Sequence, residues 1–498
     1  MKKKKQSAYE EYLQGCADTE RARLQAFFDD VSLHCQLPKL WKKQMRSDFE
    51  EAILYYLNSG LSLDEALSRL DAKYLGGFYA HPPVMWFPLD EAAKIYPLSM
   101  THGRMAVFRL SVYLKKPIVP ELLQMALHFT VKRFPSFATT LKKGIFWHYL
   151  DTAKRCYQVE TEQGIPCRPL NISQSGSQSL RVLYYENRIS VEFFHVITDG
   201  TGGMTFLKVL CAEYLRLTGV SFTPDETLWD INMTPTTAEF ENAFLGVPKS
   251  AKSGGFADKR AVQMSGKLTA YKPCRLLHFK MSASALKAAA SKYGATVTAY
   301  LLSLIFLSAT AATEECEGEL SIQVPVNMRK YYPSETVRNF ALYCGIRLPL
   351  SSINSVEQII GEVSAQLTEK ASKDAMSQML TATRNIVSSV RGVPLSIKYP
   401  VANKIYGYLG DTIFSTVFSN LGVVKLPPEL ADHIDYMDFA LGTNVSHRVS
   451  NALITFGDTA TFSISKMTLD PSFEEKLLDL LQKDSISAEI EGSVQYGH

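Results

Sequence analysis

The residues in this chain best spaced for chemistry lie in the run Val191-Glu192-Phe193-Phe194-His195-Val196-Ile197-Thr198-Asp199-Gly200-Thr201-Gly202-Gly203. An imidazole with a pKa near ~6.5 can accept a proton at neutral pH, which makes His195 a candidate general base. Asp199 and Gly200 form a turn directly after it, and the following glycines open a helix. Gly200 lets the chain turn without a Cβ and leaves room at a reaction centre. The plainer alternative is a core histidine satisfied by backbone groups, and a His-x-x-x-Asp-Gly spacing alone does not decide between them.

The elements around the motif favour a functional role. Leu180 to Tyr185 and Arg188 to His195 read as a hairpin turning at Glu186-Asn187, with Ile189, Val191, Phe193 and His195 on one face and Ser190, Glu192 and Phe194 on the other. His195 therefore points the way the apolar residues point. After the turn, Met204, Leu207, Leu210, Cys211, Tyr214 and Leu215 recur at helical spacing before Gly219. Upstream, residues 1–85 are expected to be a helical N-terminal extension with a capping box at Ser62-Leu63-Asp64-Glu65, punctuated near its end by Gly76-Gly77 and Pro82-Pro83. A first subdomain is expected over 86–235, with a strand in Arg104 to Leu114, a helix opened by Pro120 and strands within Phe137 to Leu150. The Thr-, Pro-, Ser- and Gly-rich 236–272 reads as a linker, Ser250 to Gly255 especially. A second subdomain over 273–498 repeats the grammar. It has a strand at Arg275 to Lys280, a helix at Ser284 to Tyr293, a buried helix at Thr296 to Ala309 and a strand at Leu320 to Val326. One long helical stretch from Val356 to about Val390 is followed by strand-like runs at Thr412 to Ser419, Ala452 to Phe456 and Ala460 to Lys466, and a last helix at Phe473 to Leu481. Two α+β halves of similar order imply a pseudo-symmetric pair with a crevice between them, a usual place for a site.

Composition narrows the function classes. A chain of 498 residues is long enough for two to four units, and a hydrophobic share of 46% with 21% charged residues is that of a globular protein. A net charge of +3 gives no reason to expect a nucleic-acid partner, and the lysines at 2 to 5 read as a solvated terminus. Eight cysteines without a CxxC pair fit free thiols in a reducing compartment and no metal site. The run Ala295 to Ala312 carries Thr296, Thr298, Ser303, Ser308 and Thr310 and reads as a buried helix, not as a transmembrane segment, so a cytoplasmic protein is expected. No phosphate loop or dinucleotide fingerprint is present. His102 and His148 are set aside as ordinary surface or core histidines.

Over about residues 86–480 the chain resembles the superfamily of chloramphenicol acetyltransferase, peptide condensation domains and alcohol acetyltransferases. The resemblance rests on His195-Val196-Ile197-Thr198-Asp199-Gly200, on Val324-Pro325-Val326-Asn327-Met328-Arg329 followed by Arg338-Asn339-Phe340, and on Phe418-Ser419-Asn420-Leu421-Gly422. It departs from condensation domains in having Phe194 where they carry a further histidine, and from the plant acyltransferases in lacking an Asp-Phe-Gly-Trp-Gly loop, so the alcohol acetyltransferase-like branch fits best. The resemblance implies two chloramphenicol acetyltransferase-like subdomains, each a two-layer α/β sandwich, around a central tunnel. It implies direct acyl transfer, without an acyl-enzyme, from an acyl-CoA co-substrate (acetyl-CoA above all) to an alcohol or amine, and no permanently bound cofactor. His195 would be the base and Asp199 a structural ion-pair partner, with Arg329 the matching arginine. Ser419 and Asn420 are candidates to hydrogen-bond the developing oxyanion, and Asn339 to order the loop between the halves. The alternatives are a condensation-type or N-acyltransferase taking its acyl group from a carrier protein, and a non-catalytic binding protein on the same fold.

Overall fold

In the computed structural model three sheets share one chain that is described over residues 7–34, 37, 39–74, 86–94, 96–99, 106–153, 157–170, 178–254, 259–270, 273–401, 411–442 and 447–493. The lysine run, Gly76-Gly77, Pro82-Pro83, His102 and Gly255 lie outside these residues. The strands are β1 (Trp86–Pro88), β2 (Val107–Leu114), β3 (Thr139–Lys143), β4 (His148–Thr152), β5 (Val159–Thr161), β6 (Leu180–Tyr185), β7 (Arg188–Phe194), β8 (Arg275–Ser282), β9 (Glu319–Asn327), β10 (Ala341–Pro349), β11 (Thr416–Val424), β12 (Ile434–Leu441), β13 (Val449–Phe456), β14 (Thr459–Lys466) and β15 (Ala488–Gly492).

The sheet that carries the motif has the order β12-β2-β7-β6-β5. Every residue of β2 is buried, as both faces are covered. One face packs on the helices Pro120–Arg133 and Gly200–Leu217, the first opened by a proline at its first turn and closed by Lys132 and Arg133. The edge strand β12 comes from the second half of the chain and pairs antiparallel with β2 from Ile434 opposite Leu114 to Leu441 opposite Phe108. A second sheet runs β10-β9-β11-β13-β14-β8-β15, and a third, small one β1-β4-β3.

Five strands depart from the sequence reading: β1, β5, β10, β12 and β15 lie in stretches where no strand was expected. In β10 alternate residues are buried (Leu342, Cys344, Ile346, Leu348), but Gly345 and Arg347 between them blur the period. The long helical stretch is two helices, Val356–Lys370 and Lys373–Ser389, because Ser372 caps the second by accepting from the Ala375 amide. The helix Val297–Ala311 is buried in the second core. Among the described residues no single helix is long and apolar enough to cross a membrane, and Ala283–Lys292 with Val297–Ala311 reaches that length only as a pair bent by 81°. The six described cysteines are free, and only Cys316 is exposed.

The N-terminal helices Asp18–Leu33 and Lys39–Asn58 share one apolar cluster with the motif-bearing half, through Leu24, Phe28, Phe49, Ile53 and Tyr56. Tyr56 donates to the Leu217 carbonyl at 2.9 Å, and Asp48 Oδ2 lies 3.2 Å from His128 Nε2 in the buried helix pair. The segment 236–272 also runs against the body. Arg133 holds Glu239 by two bonds of 2.6 and 3.0 Å, and the Val262 amide donates to the Glu319 carbonyl at 2.9 Å. Because the N-terminal helices share a core, Phe49→Ala is expected to destabilise the protein by about 3–5 kcal/mol. It should shift one cooperative urea transition of the motif-bearing half; a separate early transition would show that the helices fold apart.

Candidate active site

His195 follows directly on β7. Its amide donates to the Ala106 carbonyl at 2.8 Å, which ties the residue to the start of β2. The ring packs against Phe108 with centroids 5.2 Å apart, and the side chain remains partly exposed. Burial of the ring lowers its pKa below the ordinary 6.5, outweighing two opposing effects, the hydrogen bond to the residue's own carbonyl and the charge of Asp199. Asn339, buried at the start of β10, donates from Nδ2 to the His195 carbonyl at 3.2 Å, and that nitrogen lies 3.3 Å from Nδ1. Asn339 is itself held by the Ala341 amide, which donates to its Oδ1 at 3.3 Å.

Asp199 caps the helix Gly200–Leu217 by accepting from the Gly202 amide at 3.0 Å. Its other oxygen takes the Phe340 amide and Arg329 Nη1, both at 2.7 Å. The remaining donors of Arg329 are also placed: Nη1 on Asn327 Oδ1 at 3.2 Å, Nη2 on the carbonyls of Thr336 and Arg338 at 2.7 and 2.9 Å, and Nε on Thr336 at 3.2 Å. One guanidinium thus fastens the turn after β9, the loop before β10 and the turn after β7.

The glycines of the motif matter for close approach and not for a left-handed turn, since neither Gly200 nor Gly202 has positive φ. A Cβ on Gly202 would stand 2.1 Å from the Val337 carbonyl, and one on Gly200 2.4 Å from Leu421 Cδ2. Thr198 adds a hydrogen bond of 2.6 Å to that same Val337 carbonyl, and Asn327 Nδ2 reaches Thr201 at 3.1 Å. Thr198, Gly202, Asn327 and Val337 were not singled out from the sequence. Thr198, Gly202 and Asn327 lie inside the quoted motifs as small or polar residues, whereas Val337, which acts through its backbone carbonyl, carries no such signal.

Ser419 and Asn420 lie on β11, whose Leu421 touches Gly200. Ser419 is buried, and its hydroxyl makes no hydrogen bond among the described residues. Asn420 is occupied differently. Its Nδ2 donates to Thr298 at 3.0 Å and its Oδ1 accepts the Gly422 amide at 2.8 Å, where Gly422 has φ +74 and the β11–β13 register slips. His148 sits in the β3–β4 hairpin, bonded to Tyr399. Among the described residues no group of acidic, His and Cys side chains could hold a metal ion.

No protein-family model matches the chain, and no curated protein matches it by sequence. Solved structures do. F. sporotrichioides TRI101, complexed with coenzyme A and T-2, superposes with a TM-score of 0.55 at 14% identity, covering 82% of this chain and 99% of that one. Polyketide synthase associated protein 5 from Mycobacterium tuberculosis gives 0.52 at 13%, covering 79% and 97%. The first condensation domain of the CDA synthetase gives 0.50 at 13%, covering 80% and 94%. At these identities the likeness is one of fold. The chain has the mixed α/β fold common to these coenzyme A-binding and condensation-domain structures, the fold the motifs led us to expect.

Replacing Arg329 by Ala is expected to cost about 3–5 kcal/mol, because Asp199 would be left as a buried unpaired charge. Arg329→Lys should recover little of this, since an ammonium has three donors and no fork to reach the Thr336 and Arg338 carbonyls as well. Chemical denaturation of both variants checks the claim, and full stability in the lysine variant would refute it.

Proposed function

We propose that the protein is an O-acyltransferase that moves an acyl group, acetyl above all, from a CoA thioester to an alcohol. The first subdomain (86–235) supplies the base and the second (273–498) the groups that hold it, with the substrates meeting in a passage between them. The observation that carries this reading is the double attachment of His195, to Ala106 at the start of β2 and to Asn339 ahead of β10, beside an Asp199–Arg329 pair that joins the same two halves. The fold it shares with TRI101, which was crystallised with coenzyme A and T-2, supports it.

The reaction asks little of the leaving group, since a thiol with pKa near ~8.5 departs readily. The acceptor hydroxyl is the difficult partner. The His195 imidazole, whose pKa burial holds below its ordinary value, is neutral at neutral pH and is the group that takes the hydroxyl proton. The acceptor oxygen then bonds to the acyl carbon, the carbon–sulfur bond breaks, and the proton passes from the imidazole to the departing sulfur. Ser419, with its hydroxyl uncommitted, is the better of the two candidates to stabilise the oxyanion, because Asn420 is committed to Thr298 and Gly422.

The test is thiol release from acetyl-CoA against a panel of alcohols and amines. His195→Ala should lower kcat by about 10²–10⁴, and Ser419→Ala by about 10²-fold with little change in KM. Equal rates in wild type and His195→Ala would sink the assignment of the base. Turnover only with an acylated carrier protein would reassign the donor. The pH profile has a definite sign. A base whose pKa is lowered by burial is neutral above that pKa, so kcat/KM should be flat through neutrality and fall only below pH 6.5.

A further inference from the structure

We infer that the tip of the β3–β4 hairpin and the helix over 395–401 together form a face that binds the surface of an anionic lipid bilayer. The inference stands apart from the proposed reaction. At the hairpin tip Ile145 is 74% and Phe146 45% exposed, and on the adjoining helix Ile397 is 56% and Val401 53% exposed. The two elements are joined: the Leu395 amide donates to the Ile145 carbonyl at 2.9 Å, and Lys398 Nζ donates to the Phe146 carbonyl at 2.7 Å. These apolar side chains project from a turn and a helix face, so they suit a fluid partner into which they can insert.

Aromatic rings and cations adjoin the apolar groups. Lys398 sits over the Trp147 ring, Lys143 Nζ lies 5.2 Å from the Tyr399 ring centre, and Tyr399 shares a 2.5 Å hydrogen bond with His148. Exposed aliphatic groups beside aromatic rings and lysines are the residue types that the interface of a bilayer takes up. Charge points the same way. Residues 138–150 contain Lys142 and Lys143, and residues 375–401 contain Arg384, Arg391 and Lys398, with no Asp or Glu in either stretch. Arg384 is spent on the Val247 carbonyl, whereas Lys143 and Arg391 are exposed. A surface of one sign around protruding aliphatic groups is complementary to phosphatidylglycerol-type headgroups, and its attraction is screened by salt.

The experiment is co-sedimentation of the full chain with vesicles of phosphatidylcholine alone and of phosphatidylcholine with phosphatidylglycerol, at low and high salt. Binding to the anionic vesicles, weakened by salt, is expected. Ile145→Asp with Phe146→Asp should weaken it by at least about tenfold at unchanged Tm. Lys143→Glu with Arg391→Glu should weaken it without touching the apolar tip. Ile490→Asp, an exposed residue of the edge strand β15, should leave it intact. The proposal is overturned if wild type sediments with neither vesicle, or if both double variants bind as tightly as wild type. It is also overturned if the tip variant instead abolishes self-association in vesicle-free buffer, which would assign the face to a second copy of the chain.

Discussion

A carboxylate in a protein interior is tolerated only when its oxygens are met by donors, and Asp199 is met by the Gly202 amide, the Phe340 amide and Arg329. Those donors come from the helix after the motif, from the start of β10 and from the turn after β9. None of the three segments can move without uncovering the charge. Since His195 is four residues before Asp199, the position of its backbone is a consequence of satisfying that carboxylate. The ion pair is thus a constraint on geometry more than a source of stability, because the desolvation of both partners offsets most of their attraction.

The rest of the structure serves to make that approach possible. Val337 must bring its carbonyl against the helix start, which only a residue without a Cβ at Gly202 allows, and Thr198 binds the same oxygen. Leu421 of β11 closes over Gly200. On the far side of the motif sheet, β12 adds a strand from the second half, so the halves are joined by backbone pairing as well as by side chains. Arg133 and Glu239 pin the segment between them, and the Val337 amide donates back to the Glu239 carbonyl at 2.7 Å. Each of these contacts is long-range in sequence.

That range explains what could and could not be read from the residues. The β6–β7 hairpin, the helix after the motif and the helix opened by Pro120 carry their own signals: alternation, a two-residue turn, an N-terminal proline. They fall within a residue or two of the expected bounds. The strand β12 carries no such signal, because Ile-Asp-Tyr-Met-Asp-Phe-Ala-Leu becomes a strand by pairing with β2, more than 300 positions away. Local sequence is silent about such a pairing. The site divides in the same way. His195, Asp199 and Arg329 stand out by type and spacing, whereas the amides of Phe340 and Gly202 and the carbonyl of Val337 are backbone groups that no side-chain pattern marks. Asn420 is a conspicuous residue whose polar groups are met by Thr298 and the Gly422 amide, partners that the local pattern does not mark.

The electrostatics of His195 follow from the same constraint. Burial disfavours the imidazolium, while the hydrogen bond to its own carbonyl and the nearby carboxylate favour it, and burial prevails. An unpaired Asp199 would act on the ring with its full charge in a poorly screened environment, where an interaction that is weak in water becomes large. Arg329 lies 2.7 Å from that carboxylate and offsets part of its charge. The same contact locks the turn that carries the histidine. A change that removed the guanidinium but left the turn in place would still raise the ring's pKa.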